Sequence, residues 1–148
     1  FFSVRASQFE PEIMLAGIEA IKKRIAEINA MTKTTVKDDD LLTMYQVATE
    51  MLKRGFKFLQ VDINKSHAKN FLIEGDALRL PFVAIPGLGE SVAIDIMEKR
   101  NEKPFASHQD VQKRTKLNKT LYEKMVNLGS FGDLKEEEDV MEQGLFAL

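Results

Sequence analysis

Two glycines separated by a leucine are the residues of this chain best suited to hold an anion. They lie in the stretch Pro86–Glu90, which reads PGLGE. Because glycine has no Cβ, Gly87 and Gly89 can adopt positive φ and let an anion approach the backbone. The amides from residue 87 to residue 90 would then face it at the start of the next helix, where the macrodipole favours negative charge. The spacing therefore predicts a phosphate site that contacts no base.

Helices on both sides of this turn are needed to position the amides. Leu80–Ile85 predicts a short first helix with Pro81 in its first turn. An apolar-periodic run predicts a second helix from about Glu90 to Arg100, in which Ala93 allows close approach and Leu88 packs between the two helices. The pattern is that of a helix-hairpin-helix. A purely structural corner between two helices is the alternative.

A second, less complete unit of this kind follows directly. Ser107 and Asp110 have the spacing of a capped helix start, and a helix closed by Gly129 follows the turn TKLNK. This turn lacks both glycines, so its phosphate contacts would come from side chains. Those side chains are Lys116, Asn118 and Lys119.

The distribution of charge favours an anionic partner for these two units. The net charge is only −2, but Lys99–Lys124 contains eight bases and three acids, whereas the chain from Asp133 onward contains six acids and one base. A basic segment next to the glycine turn predicts contacts with the DNA backbone, although a solvated surface can carry similar charge. The predicted DNA-binding residues are Gly87, Leu88, Gly89, Glu90, Ser91, Lys99, Arg100, Lys103, Lys116, Asn118 and Lys119.

The N-terminal half predicts a scaffold. Apolar residues at spacings of three and four predict a helix over residues 10–30, and Asp38–Asp40 predict the capped start of a second helix that Gly55 ends. Phe56–Ile63 has the composition of a strand, and Glu74–Asp76 separates two apolar runs, as in a β-hairpin. The expected fold class is mainly α with a small β element, in which amphipathic helices are joined to a tandem helix-hairpin-helix domain.

Composition argues against several other classes of protein. The chain has no cysteine, which excludes disulfides and thiol chemistry and suits a reducing, cytoplasmic compartment. His67 and His108 lie far apart in the sequence without other residues at metal-ligand spacing, so no metal site is expected. No apolar run approaches the roughly 18 residues of a membrane helix, so no membrane partner is expected. Without a nucleophile–base pair or a glycine-rich cofactor loop, a small-molecule enzyme is not expected.

Five blocks in a fixed order resemble one family of replicative polymerases. The blocks read FFSVRASQFEPE, VDINKS, FLIEGD, LPFVAIPGLGE and FASHQDVQKRTKLNKTLYEKMVNLGSF. They are similar to the C-terminal end of the PolC-type α subunit of DNA polymerase III from low-GC Gram-positive bacteria, and the likeness covers essentially the whole chain. Since the chain opens without methionine, we expect it to be a piece of such a longer, cytoplasmic protein.

The resemblance implies three segments and a division of labour. Residues 1–80 would be the end of the fingers and its connection, residues 81–131 the tandem helix-hairpin-helix that grips the product duplex, and residues 132–148 an acidic tail. The whole enzyme would be a DNA-directed DNA polymerase that uses Mg²⁺ in two-metal phosphoryl transfer. Its palm carboxylates are absent here, so the chain alone should be inactive and need no cofactor, although hairpin carbonyls could bind a monovalent cation. Expected partners are duplex DNA, the sliding clamp and the remainder of the polymerase chain.

The acidic tail resembles the peptide with which such polymerases bind the sliding clamp, their β subunit. The residues that carry this likeness are Glu142, Gln143, Leu145 and Phe146. Two adjacent large apolar side chains can fill a hydrophobic pocket on a partner. The family places glutamine four residues before the phenylalanine, where this chain has Glu142, and Gln143 follows one residue late. A frayed terminus is the alternative.

Two other interpretations share part of this pattern. A DNA-binding module of a repair nuclease, ligase or helicase would contain the tandem hairpins but neither the N-terminal blocks nor the tail. A helical adaptor that binds only protein would use Leu88 and the two glycines for packing alone. Salt-dependent binding to duplex DNA separates the adaptor from both DNA-binding interpretations.

Overall fold

The computed structural model of the protein describes residues 1–137. In this range the α-helices are α1 (Pro11–Ala16), α2 (Ile18–Asn29), α3 (Val36–Lys53), α4 (Glu90–Glu102), α5 (His108–Arg114) and α6 (Lys119–Asn127). The strands are β1 (Lys57–Leu59), β2 (Leu72–Glu74) and β3 (Ala77–Arg79), and short 3-10 helices span Ser3–Gln8 and Phe82–Ala84. The predicted fold class, mainly α with a small β element, is confirmed. None of these helices combines the length and the apolar character needed to span a membrane.

The helix expected over residues 10–30 is two helices, α1 and α2, because the chain turns sharply at Gly17. Gly17 has φ 102° and ψ −174°, a conformation that residues with a side chain rarely adopt. The apolar stripe is still used, since Met14 on α1 and both Ile21 and Ile28 on α2 are buried. The prediction of one helix was wrong. The apolar residues keep the helical spacing across Gly17, so the sequence pattern does not reveal the break there.

Thr35, rather than one of the three aspartates, caps α3. Thr35 Oγ1 accepts a hydrogen bond from Asp38 N at 3.2 Å, and Asp38 Oδ2 accepts one from Thr35 N at 2.9 Å. The two bonds form a capping box that satisfies two otherwise unpaired amides. α3 ends at Lys53, and Gly55, which the sequence predicted as the end, follows with φ 92°.

A single carboxylate joins the three N-terminal helices. Glu10 Oε1 accepts hydrogen bonds from Tyr45 OH on α3 and from Arg24 Nε on α2, the latter at 3.0 Å. Burial, together with the hydrogen bond to Glu10, raises the pKa of Tyr45. The hydroxyl therefore stays protonated and donates to the carboxylate, which fixes the arrangement of the helices.

The β element is a three-stranded sheet in the order β1-β3-β2. The predicted hairpin around Gly75 is confirmed, because β2 and β3 pair antiparallel with Glu74 opposite Ala77. The strand expected over residues 56–63 is only β1, and it pairs parallel to β3. Phe58 of β1 packs edge-on against Phe2, with ring centroids 5.3 Å apart, so the sheet is attached to the N-terminal segment.

Two helical hairpins follow the sheet. Hairpin 1 consists of the 3-10 helix Phe82–Ala84, turn 1 (Pro86–Gly89) and α4. Hairpin 2 consists of α5, turn 2 (Thr115–Asn118) and α6. The first helix of hairpin 1 is shorter than the sequence predicted, because Ile85 directly precedes Pro86 and has extended backbone at φ −73° and ψ 121°. The amides of Phe82 and Val83 donate to His67 O and Ala68 O.

One hydrophobic core joins the N-terminal segment to both hairpins. Its buried side chains extend from Phe2 to Phe131. Ile63 N donates to Ser130 O at 2.9 Å, which ties the loop after β1 to the chain that leaves α6. The hairpins are thus held against the rest of the molecule by both apolar packing and backbone hydrogen bonds.

Candidate nucleic-acid interface

Turn 1 exposes the start of α4 and buries the leucine between its glycines. Gly87 has φ 86°, whereas Gly89 has φ −76° and ψ 166°, which is ordinary extended backbone, so the expectation of positive φ is wrong for Gly89. Leu88 is only 3% exposed, and its amide donates to Ile85 O at 3.0 Å. Leu88 therefore holds the turn from inside, and its amide is already used within the protein.

The first amides of α4 are left bare because their N-cap residue is a glycine. Gly89 has no side chain that could cap the helix, so the amides of Glu90 and Ser91 lack a carbonyl partner in a preceding turn. Within residues 1–137, these two amides make no backbone hydrogen bond outside α4. A Cβ built on Gly89 would meet nothing within 4 Å. The positive end of the helix dipole is therefore open to an anion.

Lys69 adds a positive charge that no sequence pattern predicts. Its Nζ lies 3.2 Å from Glu90 Oε1, and both side chains are largely exposed. Together with Gly89 and the N-terminal residues Ser3 and Ser7, they line a cavity of about 260 Å³ at the start of α4. No spacing in the sequence relates residue 69 to residue 90, because the sheet and a loop separate them.

Turn 2 is built from side chains where turn 1 uses glycine. Leu117 is buried like Leu88, and Asn118 Oδ1 caps α6 by accepting from Leu121 N at 2.9 Å. Lys116 N donates to Asp95 Oδ2 of α4 at 2.8 Å. Asn118 therefore uses its side chain inside the protein, and the exposed ammonium groups of Lys116 and Lys119 are the charged groups that this turn offers to an anion.

The two turns are neighbours in space. A Cβ on Gly87 would lie 3.7 Å from Leu121 Cδ2 of α6, and Lys124 Nζ of α6 donates to Pro86 O at 3.1 Å. Turn 2 in turn contacts α4 through Asp95. Consequently the starts of α4 and α6 lie close together, and Lys116 lines the same cavity as Glu90 and Ser91.

The remaining predicted bases, Lys99, Arg100 and Lys103, lie at the other end of α4. Residue 99 is about 15 Å along the helix axis from Gly89, at a rise of about 1.5 Å per residue. Arg100 Nη1 donates to Ile63 O at 3.2 Å and to Ser66 O at 2.7 Å, and burial lowers the pKa of its guanidinium. The fold therefore gives Arg100 a structural contact and places all three bases at the end of α4 opposite to turn 1.

The start of α5 differs from the starts of α4 and α6 because backbone carbonyls occupy it. His108 N donates to Lys135 O at 2.7 Å, and Gln109 N donates to Glu136 O at 3.0 Å. The His108 ring also stacks on Phe131, with centroids 4.3 Å apart. The predicted clamp residues follow this segment but lie outside the described residues; they are Glu142, Gln143, Leu145 and Phe146.

Residues 1–137 contain no group of three or more His, Cys, Asp or Glu side chains that could hold a metal ion. The residues described therefore do not fit the pair of Mg²⁺ ions that a polymerase uses. In turn 1, the carbonyl oxygens of Ile85 and Pro86 already accept hydrogen bonds from Leu88 N and Lys124 Nζ. A monovalent cation at these carbonyls stays a prediction.

Comparison with known proteins matches this chain to one motif family and to one type of DNA polymerase. Residues 55–141, more than half of the chain, match the helix-hairpin-helix motif family. The chain is 49% identical over 138 residues to the PolC-type DNA polymerase III of Thermotoga maritima. These 138 residues are 93% of this chain and 10% of that protein. The corresponding protein of Streptococcus mutans is 44% identical over 140 residues, and that of Streptococcus thermophilus 41%, with the same shares covered. The chain thus spans about a tenth of these relatives.

Proposed function

Because the chain belongs to the helix-hairpin-helix motif family, we propose that it is the duplex-binding, C-terminal region of a PolC-type replicative DNA polymerase. The observation that carries the proposal is the bare start of α4, where Gly89 leaves the amides of Glu90 and Ser91 open beside a second helix start. The identity to PolC-type polymerases favours this assignment over a module from a repair protein.

In the proposed interface, each hairpin binds a phosphate of the duplex. The amides of Glu90 and Ser91 donate to one phosphate, with Lys69 beside them, and Lys116 and Lys119 contact another near the start of α6. Leu88 and Leu117 hold the two turns rigid from within the core. These contacts read no base, so binding is independent of sequence. One phosphate contact per hairpin gives a slope of log Kobs against log salt of about −2.

In the whole polymerase this grip keeps the product duplex attached while catalysis takes place elsewhere. We assign no step of the metal-dependent reaction to the residues described. Linkage to the catalytic part raises the effective concentration of the duplex-binding region, so a weak intrinsic affinity suffices. This role places the protein in the bacterial cytoplasm, where it acts as part of a DNA-directed DNA polymerase.

Gly89→Asp tests the phosphate site without straining the turn. The extended backbone of Gly89 suits an aspartate N-cap, which stabilises the helix while its carboxylate occupies the bare amides. We expect duplex affinity to fall about tenfold or more, since a charge a few ångströms from a phosphate is repelled by about 1 kcal/mol even in water, and the amides are also lost. The measurement is fluorescence anisotropy with a short labelled DNA duplex across a salt series.

Two matched variants control this experiment. Gly89→Asn has the same shape and capping ability without the charge, so it isolates the electrostatic part of the effect. Gln109→Glu adds the same charge at the start of α5, away from both turns, and should leave affinity nearly unchanged. Failure of the wild-type chain to bind duplex at low salt would contradict the proposal and favour the protein-binding adaptor.

We also propose that the acidic tail tethers the polymerase to its sliding clamp through Leu145 and Phe146. Replacing both by alanine should weaken binding to purified clamp at least tenfold, because two anchoring side chains leave their pocket. The matched control replaces Val140 and Met141, two apolar tail residues outside the likeness. Biolayer interferometry measures both. If both double variants bind the clamp as tightly as the wild type does, the proposal that Leu145 and Phe146 bind the clamp is contradicted.

A further inference from the structure

Two side chains cross between the hairpins in a reciprocal arrangement. Asp95 Oδ2 of α4 accepts a hydrogen bond from Lys116 N in turn 2 at 2.8 Å. Lys124 Nζ of α6 donates a hydrogen bond to Pro86 O in turn 1 at 3.1 Å. Each hairpin thus uses its second helix to hold the turn of the other.

The two crossing residues occupy equivalent positions. Asp95 is the sixth residue of α4, which begins at Glu90, and Lys124 is the sixth residue of α6, which begins at Lys119. Asp95 contacts the nitrogen of the Thr115–Lys116 peptide bond and Lys124 the oxygen of the Pro86–Gly87 peptide bond, which occupies the same place in its turn. The hairpins therefore make the same contact twice, once with an acceptor and once with a donor.

Turn 2 needs this contact more than turn 1 does. In turn 1, Gly87 reaches φ 86°, which fixes the chain reversal, but Lys116 occupies the corresponding place in turn 2 and no non-glycine residue within residues 1–137 has positive φ. A side chain at that place disfavours the left-handed conformation. The amide of Lys116 is held by the carboxylate of Asp95 instead, and Leu117 N donates to Thr115 Oγ1 at 3.3 Å.

The negative charge of Asp95 does not favour binding of a phosphate at this surface. Asp95 lines a cavity of about 500 Å³ with Glu90, Ser91 and Lys116, between α4 and turn 2. A carboxylate there repels a phosphate and lowers duplex affinity. A role that outweighs this repulsion has to come from its hydrogen bond to turn 2.

We infer that Asp95 is a positioning residue for duplex binding, whose carboxylate holds turn 2 so that the starts of α4 and α6 meet phosphates of one duplex together. The inference rests on the proposed function. Lys124 has the corresponding role at turn 1. Asp95 itself contacts no phosphate and acts through Lys116 and the chain that follows it.

Substitutions that separate charge from hydrogen bonding test this role in the full chain. Asp95→Ala and Asp95→Asn remove the same charge, but only asparagine keeps an oxygen that can accept from Lys116 N. Asp95→Glu keeps the charge and moves the acceptor by one methylene. In anisotropy titrations with a short labelled duplex across a salt series, Asp95→Ala and Asp95→Glu should each lose about one phosphate contact, which is about 0.9 of the log–log slope. Asp95→Asn should keep the wild-type slope.

A control and a second readout make the outcomes distinct. Glu98→Gln removes a charge from the same cavity but leaves the hydrogen bond from Lys116 N to Asp95 in place, so it should leave the slope unchanged. Hydrogen exchange at the Lys116 amide, measured without DNA, should accelerate at least tenfold in Asp95→Ala and stay slow in Asp95→Asn. If the wild type binds with a clear salt slope and all three Asp95 variants share it, this inference is overturned and the proposed function stands. If the wild type binds no duplex, both are overturned.

Discussion

At the scale of single residues, the two glycines of turn 1 serve different purposes. Gly87 is required for its conformation, because its φ of 86° is disfavoured for any residue with a side chain. Gly89 has an extended backbone that any residue adopts, so its contribution is the missing side chain in front of the α4 amides. A glycine pair read from sequence therefore contains one position that shapes the turn and one that keeps a surface bare.

Glu90 is the residue that most directly opposes an anion at this surface. We predict that Glu90→Gln raises duplex affinity about fivefold, because it removes a repulsion of about 1 kcal/mol at a distance near 4 Å and frees Lys69 from its ion pair. Glu102→Gln, at the far end of the same helix, should change affinity much less. Anisotropy titrations at low salt measure both. Equal effects of the two substitutions would contradict a phosphate site at the start of α4.

At the scale of elements, the capping of each helix start decides what it can bind. α5 begins with amides that are already paired to Lys135 and Glu136, so its start is closed. α4 begins after a glycine with no capping side chain, and α6 begins after an asparagine that caps one amide. Only the starts of α4 and α6 are neighbours across the turns. The hairpins thus present two of their three α-helix starts to a ligand and seal the third with the chain that leads to the tail.

At the scale of the whole molecule, the N-terminal segment and the hairpins depend on each other. Phe82 N, Val83 N and Ile63 N all donate to carbonyls across this division, and one hydrophobic cluster spans it. Arg100 adds a further connection, with its guanidinium over the Phe82 ring at 5.9 Å and hydrogen-bonded to the loop after β1. The N-terminal segment therefore supports the surface that the turns present.

Arg100→Met tests this dependence. The substitution keeps the apolar stem but removes a charged donor from the carbonyls of Ile63 and Ser66, so we expect the free energy of unfolding to fall by about 2 kcal/mol. Lys103→Met, at an exposed position with the same charge change, should stay within about 0.5 kcal/mol of the wild type. Urea denaturation measures both. Equal stability of the two variants would contradict a structural role for Arg100.

The sequence alone predicted the elements whose signals are local. Gly75 between two apolar runs gave the β-hairpin, and the apolar period gave α3, α4 and α6, because turn chemistry and side-chain periodicity act over a few residues. The predictions were wrong where one sequence pattern fits two different local structures. The helical period continues across Gly17, where the structure has a break, and the helix predicted over Leu80–Ile85 is only the 3-10 helix Phe82–Ala84.

The make-up of the candidate site was decided by tertiary structure, because its parts come from distant places in the chain. The sequence located turn 1, since glycine and proline mark it within five residues. It could not bring Lys69 to Glu90, place Asp95 against Lys116 or direct Arg100 toward Ile63, because these contacts depend on how the sheet and both hairpins pack around one core. A count of charges along the sequence does not say on which side of the molecule the charged side chains lie. Folding places Lys116 in the same cavity as the bare amides and Lys99 and Arg100 at the opposite end of α4.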